Sequence, residues 1–336
     1  MNQKRKRTMI RFNRRHLLQS AALFAAAPLT AARSQDAAWP SRPIRYIVPY
    51  TPGGGSDIVS RLLTATVSAL PNGPQFVIEN RPGAGGNIGV KVIADSPPDG
   101  YTIGVITIAT HGVNPTLYPS LPFDPVNDFT MISQLNLQPI VVAVNANSPI
   151  RTLADLLRNT GPSARELTFG SAGNGLSGHA AGELLRQRAG VKMIHVPYRG
   201  SSGAWADLLG GRIDLIVDNV ATAIPHVQAG RVRILGLSSR QPLPGVDAPT
   251  IGSLVPGYVV DSWNVLAGPA RMPPTIVERL AAFVGQAMEV PALRARFAEL
   301  NMVLPESTSP EYAATFVRQQ IAMWAPVVRE AGMRVD

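Results

Sequence analysis

Ile44-Arg45-Tyr46-Ile47-Val48-Pro49-Tyr50-Thr51-Pro52-Gly53-Gly54-Gly55-Ser56-Asp57 reads as an apolar strand running through a glycine-rich turn into a helix that reaches about Leu70. A short β-branched run bounded by Pro and Gly, followed by a longer helical stretch, is the repeating unit of an α/β protein. The unit recurs outward from here. Residues 76–79 form a second strand, followed by a glycine-rich segment over 81–89 and a helix to Ala94, and 101–106 form a third strand. A second set of strands falls at 140–144, 167–170, 193–196, 213–217 and 234–237, with helices at 153–159, 176–189, 204–209 and 222–229. A last strand at 265–268 precedes helices at 273–288, 292–300 and 310–331. The alternation predicts an α/β fold with mostly parallel sheets. The early strands and the C-terminal helices fall into one lobe, residues 33–139 plus 263–336, and the middle strands into a second, 140–262. Crossovers lie near residues 140 and 262, and a cleft between two such lobes is a favoured place for a small ligand.

The chain opens on a different kind of segment. Residues 1–35 hold eight basic residues and no Asp or Glu, and an alanine-rich apolar run extends from Leu17 to Ala32, interrupted by Pro28. That run is shorter than the roughly 20 apolar residues that span a bilayer, and basic-then-apolar-then-small is the order of an export signal. Thr30 and Ala32 suit the positions before a cleavage site, so residues 1–32 are read as a signal peptide and the mature protein as periplasmic. Asn13-Arg14-Arg15-His16-Leu17-Leu18-Gln19 reads as a twin-arginine signal, with an ordinary export signal that happens to carry two arginines as the alternative. Cutting after Ala32 leaves 24 basic against 22 acidic residues, a net charge of +2. The full-length charge of +9 therefore belongs to the leader. A nearly neutral mature chain argues against nucleic acid or an anionic membrane as partner. The absence of cysteine excludes disulfides, thiolate metal sites, cysteine nucleophiles and a lipid-modified N-terminal cysteine.

Glycine-rich junctions between strand and helix occur at 53–57, 171–177 and 200–203. Glycines let the backbone approach a ligand, and the first N–H groups of the following helix are unpaired donors at a positive dipole end, so each junction can cradle an anion. The plainer alternative is a tight turn in which Ser56, Asp57 or Ser201 caps a helix. Three junctions in one chain favour the ligand reading, because ligands of open α/β sheets bind beyond the carboxyl ends of strands.

Ser171-Ala172-Gly173-Asn174-Gly175-Leu176-Ser177-Gly178-His179 contains a literal G-x-G-x-x-G between strand and helix. A dinucleotide site also needs an Asp or Glu about 20 residues on, and here that stretch is His195-Val196-Pro197-Tyr198-Arg199-Gly200, with no carboxylate. The segment fails as a nucleophile elbow, because His179 stands where a glycine is required, and no P-loop occurs. His179 can donate to a ligand carboxylate or simply pack. Asp218 and Asn219 end a strand and can read a ligand amine or hydroxyl, or cap the next helix; Arg199 can pair with a carboxylate or lie on the surface. His111, His195 and His226 show no metal-ligand spacing, so no metal and no cofactor are expected.

The ordered series of segments resembles the Bug family of extracytoplasmic solute receptors, the binding components associated with tripartite tricarboxylate transporters. The matching stretches are Trp39-Pro40-Ser41-Arg42-Pro43-Ile44, Pro52-Gly53-Gly54-Gly55-Ser56-Asp57, and Val77 through Gly89 with its Glu79-Asn80-Arg81-Pro82-Gly83 centre. Further on they are Pro98-Asp99-Gly100-Tyr101-Thr102, Phe123-Asp124-Pro125-Val126-Asn127-Asp128-Phe129, His195 through Gly200 and Asp207-Leu208-Leu209-Gly210-Gly211. The resemblance implies a type II periplasmic-binding-protein fold, two α/β lobes joined by two crossing strands and closing on a ligand. It implies a small carboxylated ligand (a di- or tricarboxylate, an amino acid or an aromatic acid), held at Gly54, Ser56, Asp57, Ser171, Gly175, Ser177, His179, Asp218 and Asn219. It implies a monomer that captures its ligand without chemistry and delivers it to the membrane subunits of a transporter. Arg199 departs from the lysine usual in relatives, and Thr107-Ile108-Ala109-Thr110-His111 carries fewer hydroxyls than they do. Two other readings remain open: an exported nucleotide-dependent oxidoreductase, and a ligand-sensing subunit of a signalling system.

Overall fold

The computed structural model describes residues 39–333, and the signal-peptide and twin-arginine readings lie outside the described residues. In chain order the first elements are β1 (Ile44–Val48), α1 (Gly55–Ala69), β2 (Phe76–Asn80), a 3-10 turn (Ala84–Gly86), α2 (Asn87–Ala94) and β3 (Thr102–Thr107). A π-helical turn (Ile108–Val113) and α3 (Asn114–Leu117) lead into β4 (Phe129–Asn145). There follow α4 (Leu153–Leu157), β5 (Leu167–Ser171), α5 (Ser177–Ala189), β6 (Met193–Pro197), α6 (Ser201–Leu209), β7 (Leu215–Asn219), α7 (Val220–Gln228) and β8 (Val232–Leu237). After a second 3-10 turn (Ile251–Ser253) come β9 (Asp261–Pro269), α8 (Pro274–Met288), α9 (Pro291–Glu299) and α10 (Pro310–Glu330).

Strand pairing runs β2-β1-β3-β9-β4 and then β4-β7-β5-β6, with β8 also on β4. The pairs β1/β2, β1/β3, β5/β6 and β5/β7 are parallel, as strands linked by helical crossovers must be. The pairs β3/β9, β4/β9, β4/β7 and β4/β8 are antiparallel. The expectation of mostly parallel sheets is corrected accordingly: the two sheets are mixed, because β4 and β9 run against their neighbours.

β4 is the largest departure from the sequence reading, 17 residues long where only 140–144 was expected. Its first half pairs with β9 from Phe129↔Pro269 to Pro139↔Asp261, and its second half pairs with β7 and β8. The pattern hid it. Ser133, Gln134, Asn136 and Gln138 are buried polar residues in this half, and the register shifts twice, between Met131 and Ser133 and between Gln134 and Asn136. Bulges break the period-two alternation by which a strand is recognised. β7 runs two residues later than the expected 213–217 and α7 starts two residues earlier than 222, so Asp218 and Asn219 are the last residues of the strand and lead directly into the helix.

Burial on both faces explains the apolar strands: Ile44, Ile47, Val48, Ile103, Val105 and Ile106 are fully buried. Full burial of such side chains contributes about 1.5–3 kcal/mol each before entropy is charged against it. α10 lies against the π-helical turn and β4. Its Gln320 Oε1 accepts from the indoles of Trp263 at 2.9 Å and Trp324 at 3.3 Å, so two large buried side chains are tied to one amide.

Candidate ligand-binding cleft

A cavity of about 870 Å³ opens where the helix-leading loops of both sheets meet. Its wall includes the N-cap residues of α1, α2, α5, α6 and α7, namely Gly54, Gly86, Leu176, Gly200 and Asn219. None of these helices is capped by a side chain at its start. The helices α4 and α10, whose starts are not on this wall, are capped by Thr152 and Ser309. The capping alternative for Ser56, Asp57 and Ser201 therefore does not hold. The backbone donors of five helix starts are left facing a common space, each with the positive end of its dipole.

Loops from the two sheets touch here through glycines. A Cβ on Gly85 would lie 3.3 Å from the Asn174 carbonyl oxygen, and one on Gly200 would lie 2.5 Å from Thr51 Oγ1. On the wall, Gly83, Ala84, Gly85 and Gly86 carry φ of 131°, 47°, 63° and 96°. Such a run is open to glycine and strained at Ala84. Tyr50 Oη and Thr107 Oγ1 are hydrogen-bonded at 2.5 Å beneath it.

The nine residues singled out in the sequence divide into two groups. Gly54, Ser56, Ser177, Asp218 and Asn219 line the cavity. Ser56 and Ser177 have hydroxyls with no partner among the described residues, so they are free to donate. Asp57, Ser171, Gly175 and His179 lie behind the wall and shape its loops. Asp57 accepts from Gly53 N–H, Arg61 Nε and Asn80 Nδ2, each at 2.9 Å. Burial pushes its pKa up, but Arg61 and these donors outweigh it and hold the carboxyl below its usual value. Ser171 Oγ bonds His195 Nε2 at 2.7 Å and accepts from Gly173 N–H at 3.2 Å, fixing the turn after β5. Gly175 N–H donates to His179 Nδ1 at 3.0 Å.

His179 and His195 stack at 3.9 Å and 10°. Burial pushes His179 down to about 4, and burial together with the neighbouring His179 ring pushes His195 down to about 3, so both are neutral at pH 7. Asp218 is 2% exposed. It accepts from Trp205 Nε1 at 3.0 Å, Thr222 Oγ1 at 2.9 Å and Asn219 N–H at 2.8 Å, and burial nevertheless raises its pKa.

Sequence reasoning missed the strap at Pro82–Gly86, the stretch Thr107–Ala109, Tyr118 and Ser262, all on the wall. The run of glycines at 83–86 was the available signal for the first. Arg199, weighed and left aside, also lines the cavity. At the end of β6, where a dinucleotide site would place its ribose-binding acid, stand Pro197, Tyr198 and Arg199. No group of His, Cys, Asp and Glu able to hold a metal occurs among the described residues.

The chain matches, over residues 59–333, the family described as "Tripartite tricarboxylate transporter family receptor". It is 35% identical over 320 residues to the "UPF0065 protein in tcbD-tcbE intergenic region" of Pseudomonas sp. (strain P51), covering 94% of each chain. It is 31% identical over 326 residues to "Protein BugT" of Bordetella pertussis (strain Tohama I), covering 96% of this chain and 99% of that one. Among solved structures it is similar to "R. palustris Rpa4515 with adipate", with a TM-score of 0.83 and 33% identity over 88% of this chain and 99% of the other.

Proposed function

This chain belongs to the tripartite tricarboxylate transporter receptor family and has its two-lobed α/β fold, and we propose that its cleft captures a small carboxylate outside the cytoplasm and performs no chemistry on it. The observation that carries the reading is the convergence of five helix starts, none capped by a side chain, on one cavity. A carboxylate placed there accepts from backbone N–H groups that otherwise have only water. Each charge-assisted bond is worth about 1.5–3 kcal/mol, so two or three suffice for useful affinity against the cost of association. A relative solved with adipate supports a carboxylate as the ligand.

In this reading Gly54, Ser56, Ser177 and Asn219 touch the ligand, while Asp57, Ser171, Gly175 and His179 hold the loops that present them. Asp218 positions the start of α7. The lobes divide at residues 139/140 and 262/263, beside the β4–β9 pairing from which β4 runs on into the second sheet, and closing them excludes water from the site. The protein acts as a periplasmic monomer after loss of residues 1–32 and hands its ligand to the membrane subunits of a tripartite transporter.

The test is a thermal-shift screen of residues 33–336 against aliphatic mono-, di- and tricarboxylates, amino acids and aromatic acids. Ligand at a hundred times its Kd adds about 2.7 kcal/mol, a rise of several degrees. A hit that calorimetry confirms, and that Ser56→Ala with Ser177→Ala weakens without lowering the unliganded Tm, supports capture at this cleft. A confirmed hit untouched by the double substitution moves the site elsewhere, and a flat screen on refolded protein removes the carboxylate reading.

A further inference from the structure

Among the described residues two charged ones line the cavity, Asp218 and Arg199, and their situations are opposite. Asp218 is buried and enclosed by donors: the Trp205 indole, the Thr222 and Ser201 hydroxyls and the Asn219 backbone N–H. With its acceptor positions filled and its charged form disfavoured by burial, it has nothing to offer a ligand cation. Arg199 is exposed on the wall and has no carboxylate or hydrogen-bond partner among the described residues.

The backbone around Arg199 is anchored on both sides. Tyr198 Oη donates to Asp207 Oδ2 at 2.6 Å. Gly200, the N-cap of α6, abuts Thr51, where an added Cβ would come within 2.5 Å of Oγ1. Arg199 thus stands on the wall between two anchored neighbours rather than on a loose loop.

Every charge-bearing feature that the cavity presents to a ligand is therefore positive: five helix starts and one free guanidinium. A single carboxylate is satisfied by the backbone N–H groups and leaves the guanidinium without a partner. A planar five-donor fork matches a second carboxylate in two parallel bonds. An ammonium would enter a field of its own sign, with the one wall carboxylate already engaged.

We propose that Arg199 reads a second carboxylate, so that the cleft selects an aliphatic dicarboxylate dianion over monocarboxylates and over α-amino acids. The inference rests on the carboxylate-capture reading of the same cleft and narrows it.

The experiment is calorimetry on residues 33–336 with three matched series: succinate, butyrate and aspartate; glutarate, pentanoate and glutamate; adipate, hexanoate and 2-aminoadipate. In the best-fitting series the dicarboxylate is expected to bind about tenfold or more tighter than both partners. In Arg199→Gln the preference for dicarboxylate over monocarboxylate is expected to collapse to within about threefold, and Arg199→Lys, which keeps the charge but not the fork, to retain an intermediate preference. A ratio is read because a general loss of folding or of cleft closure weakens both ligands alike. The inference is overturned if the preference survives intact in Arg199→Gln, or if the monocarboxylate or the amino acid binds as tightly as the dicarboxylate. Those outcomes leave carboxylate capture standing. No binding in any series overturns the inference as well, while the capture reading falls only if the wider screen of carboxylates is also flat.

Discussion

Gly55 is required for its space rather than for its backbone, because it does not have a positive φ. A Cβ there would lie 2.5 Å from Gln138 Oε1 and 3.0 Å from Asn219 Nδ2. Three elements meet at that point: the first turn of α1, the crossing strand β4 and the start of α7. Gln138 is fully buried with neither amide atom hydrogen-bonded, so its displacement is resisted by packing alone. Gly55→Ala must displace the side-chain amides of Gln138 and Asn219, and Asn219 is proposed to touch the ligand. The expected result is an affinity loss of about tenfold or more, with about 1–3 kcal/mol of overpacking cost in urea unfolding. Gly211→Ala is the control. Gly211 has a φ of 70° and nothing within 4 Å of an added Cβ, so strain costs about 1 kcal/mol while calorimetric affinity stays put. Equal affinity losses in the two variants would reduce the Gly55 effect to general instability. The same residues show how far a sequence can be read at this scale. The glycine junctions at 53–57 and 171–177 announced themselves by composition, and their loops do reach the cavity. Whether a residue faces the space or backs it, as Ser177 and Ser171 respectively do, depends on a turn that no spacing rule encodes.

At the scale of elements, the helices and the short apolar strands were legible because each carries one unbroken period and Gly or Pro at its ends. β4 was not, because its first half is polar, buried and twice bulged, with Pro139 inside it. The π-helical turn that follows β3 was likewise invisible, since its residues are all buried and its geometry is imposed from outside. α10 supplies the imposition. Trp324 is 2% exposed, and its ring sits so close to the turn that a Cβ on Gly112 would come within 3.0 Å of it. Ile108 and Ala109, at the other end of that turn, line the cavity. Trp324→Ala should therefore do two things at once. It leaves a cavity costing about 3–5 kcal/mol in urea unfolding. It also loosens the turn that forms part of the cleft wall, and ligand affinity falls even under conditions where the protein is fully folded. A stability loss with unchanged affinity would mean that the turn keeps its shape without the indole behind it.

Across the whole molecule, buried ionisable groups set the response to acid, and their signs can be worked out. His111, His179 and His195 are pushed down to about 3, 4 and 3, chiefly by burial, whereas an unfolded histidine titrates near 6.5. Between pH 6.5 and about 4 the unfolded chain takes up protons that the folded chain refuses. The stability these histidines contribute is thus complete above pH 6.5 and is lost progressively as pH falls through that window. Asp261, raised to about 6 by burial, and Asp218, also raised by burial, act in the opposite sense. Their folded forms hold protons that the unfolded chain has released, so acidification toward pH 4 favours the folded state through them and offsets part of the loss. Three histidines against two carboxyls leave a net decline. Urea unfolding at pH 7, 6 and 5 should show stability falling toward acid, each uncompensated proton contributing about 1.4 kcal/mol per pH unit. His111 offers the cleanest way to isolate one of them. It packs against Phe129 at 4.7 Å and Phe123 at 5.9 Å, with Nε2 unbonded and only Thr110 Oγ1 on Nδ1, so His111→Phe substitutes one ring for another in an aromatic setting. The phenyl ring is larger than the imidazole, so the substitution should cost about 1–3 kcal/mol of overpacking at pH 7 and flatten the acid slope by about one proton. An unaltered slope would show that His111 takes up its proton in the folded protein as readily as in the unfolded chain. In that case the decline would have to be carried by the stacked pair His179 and His195, whose protonation also removes the Nδ1 acceptor that holds Gly175 and the loop in front of it.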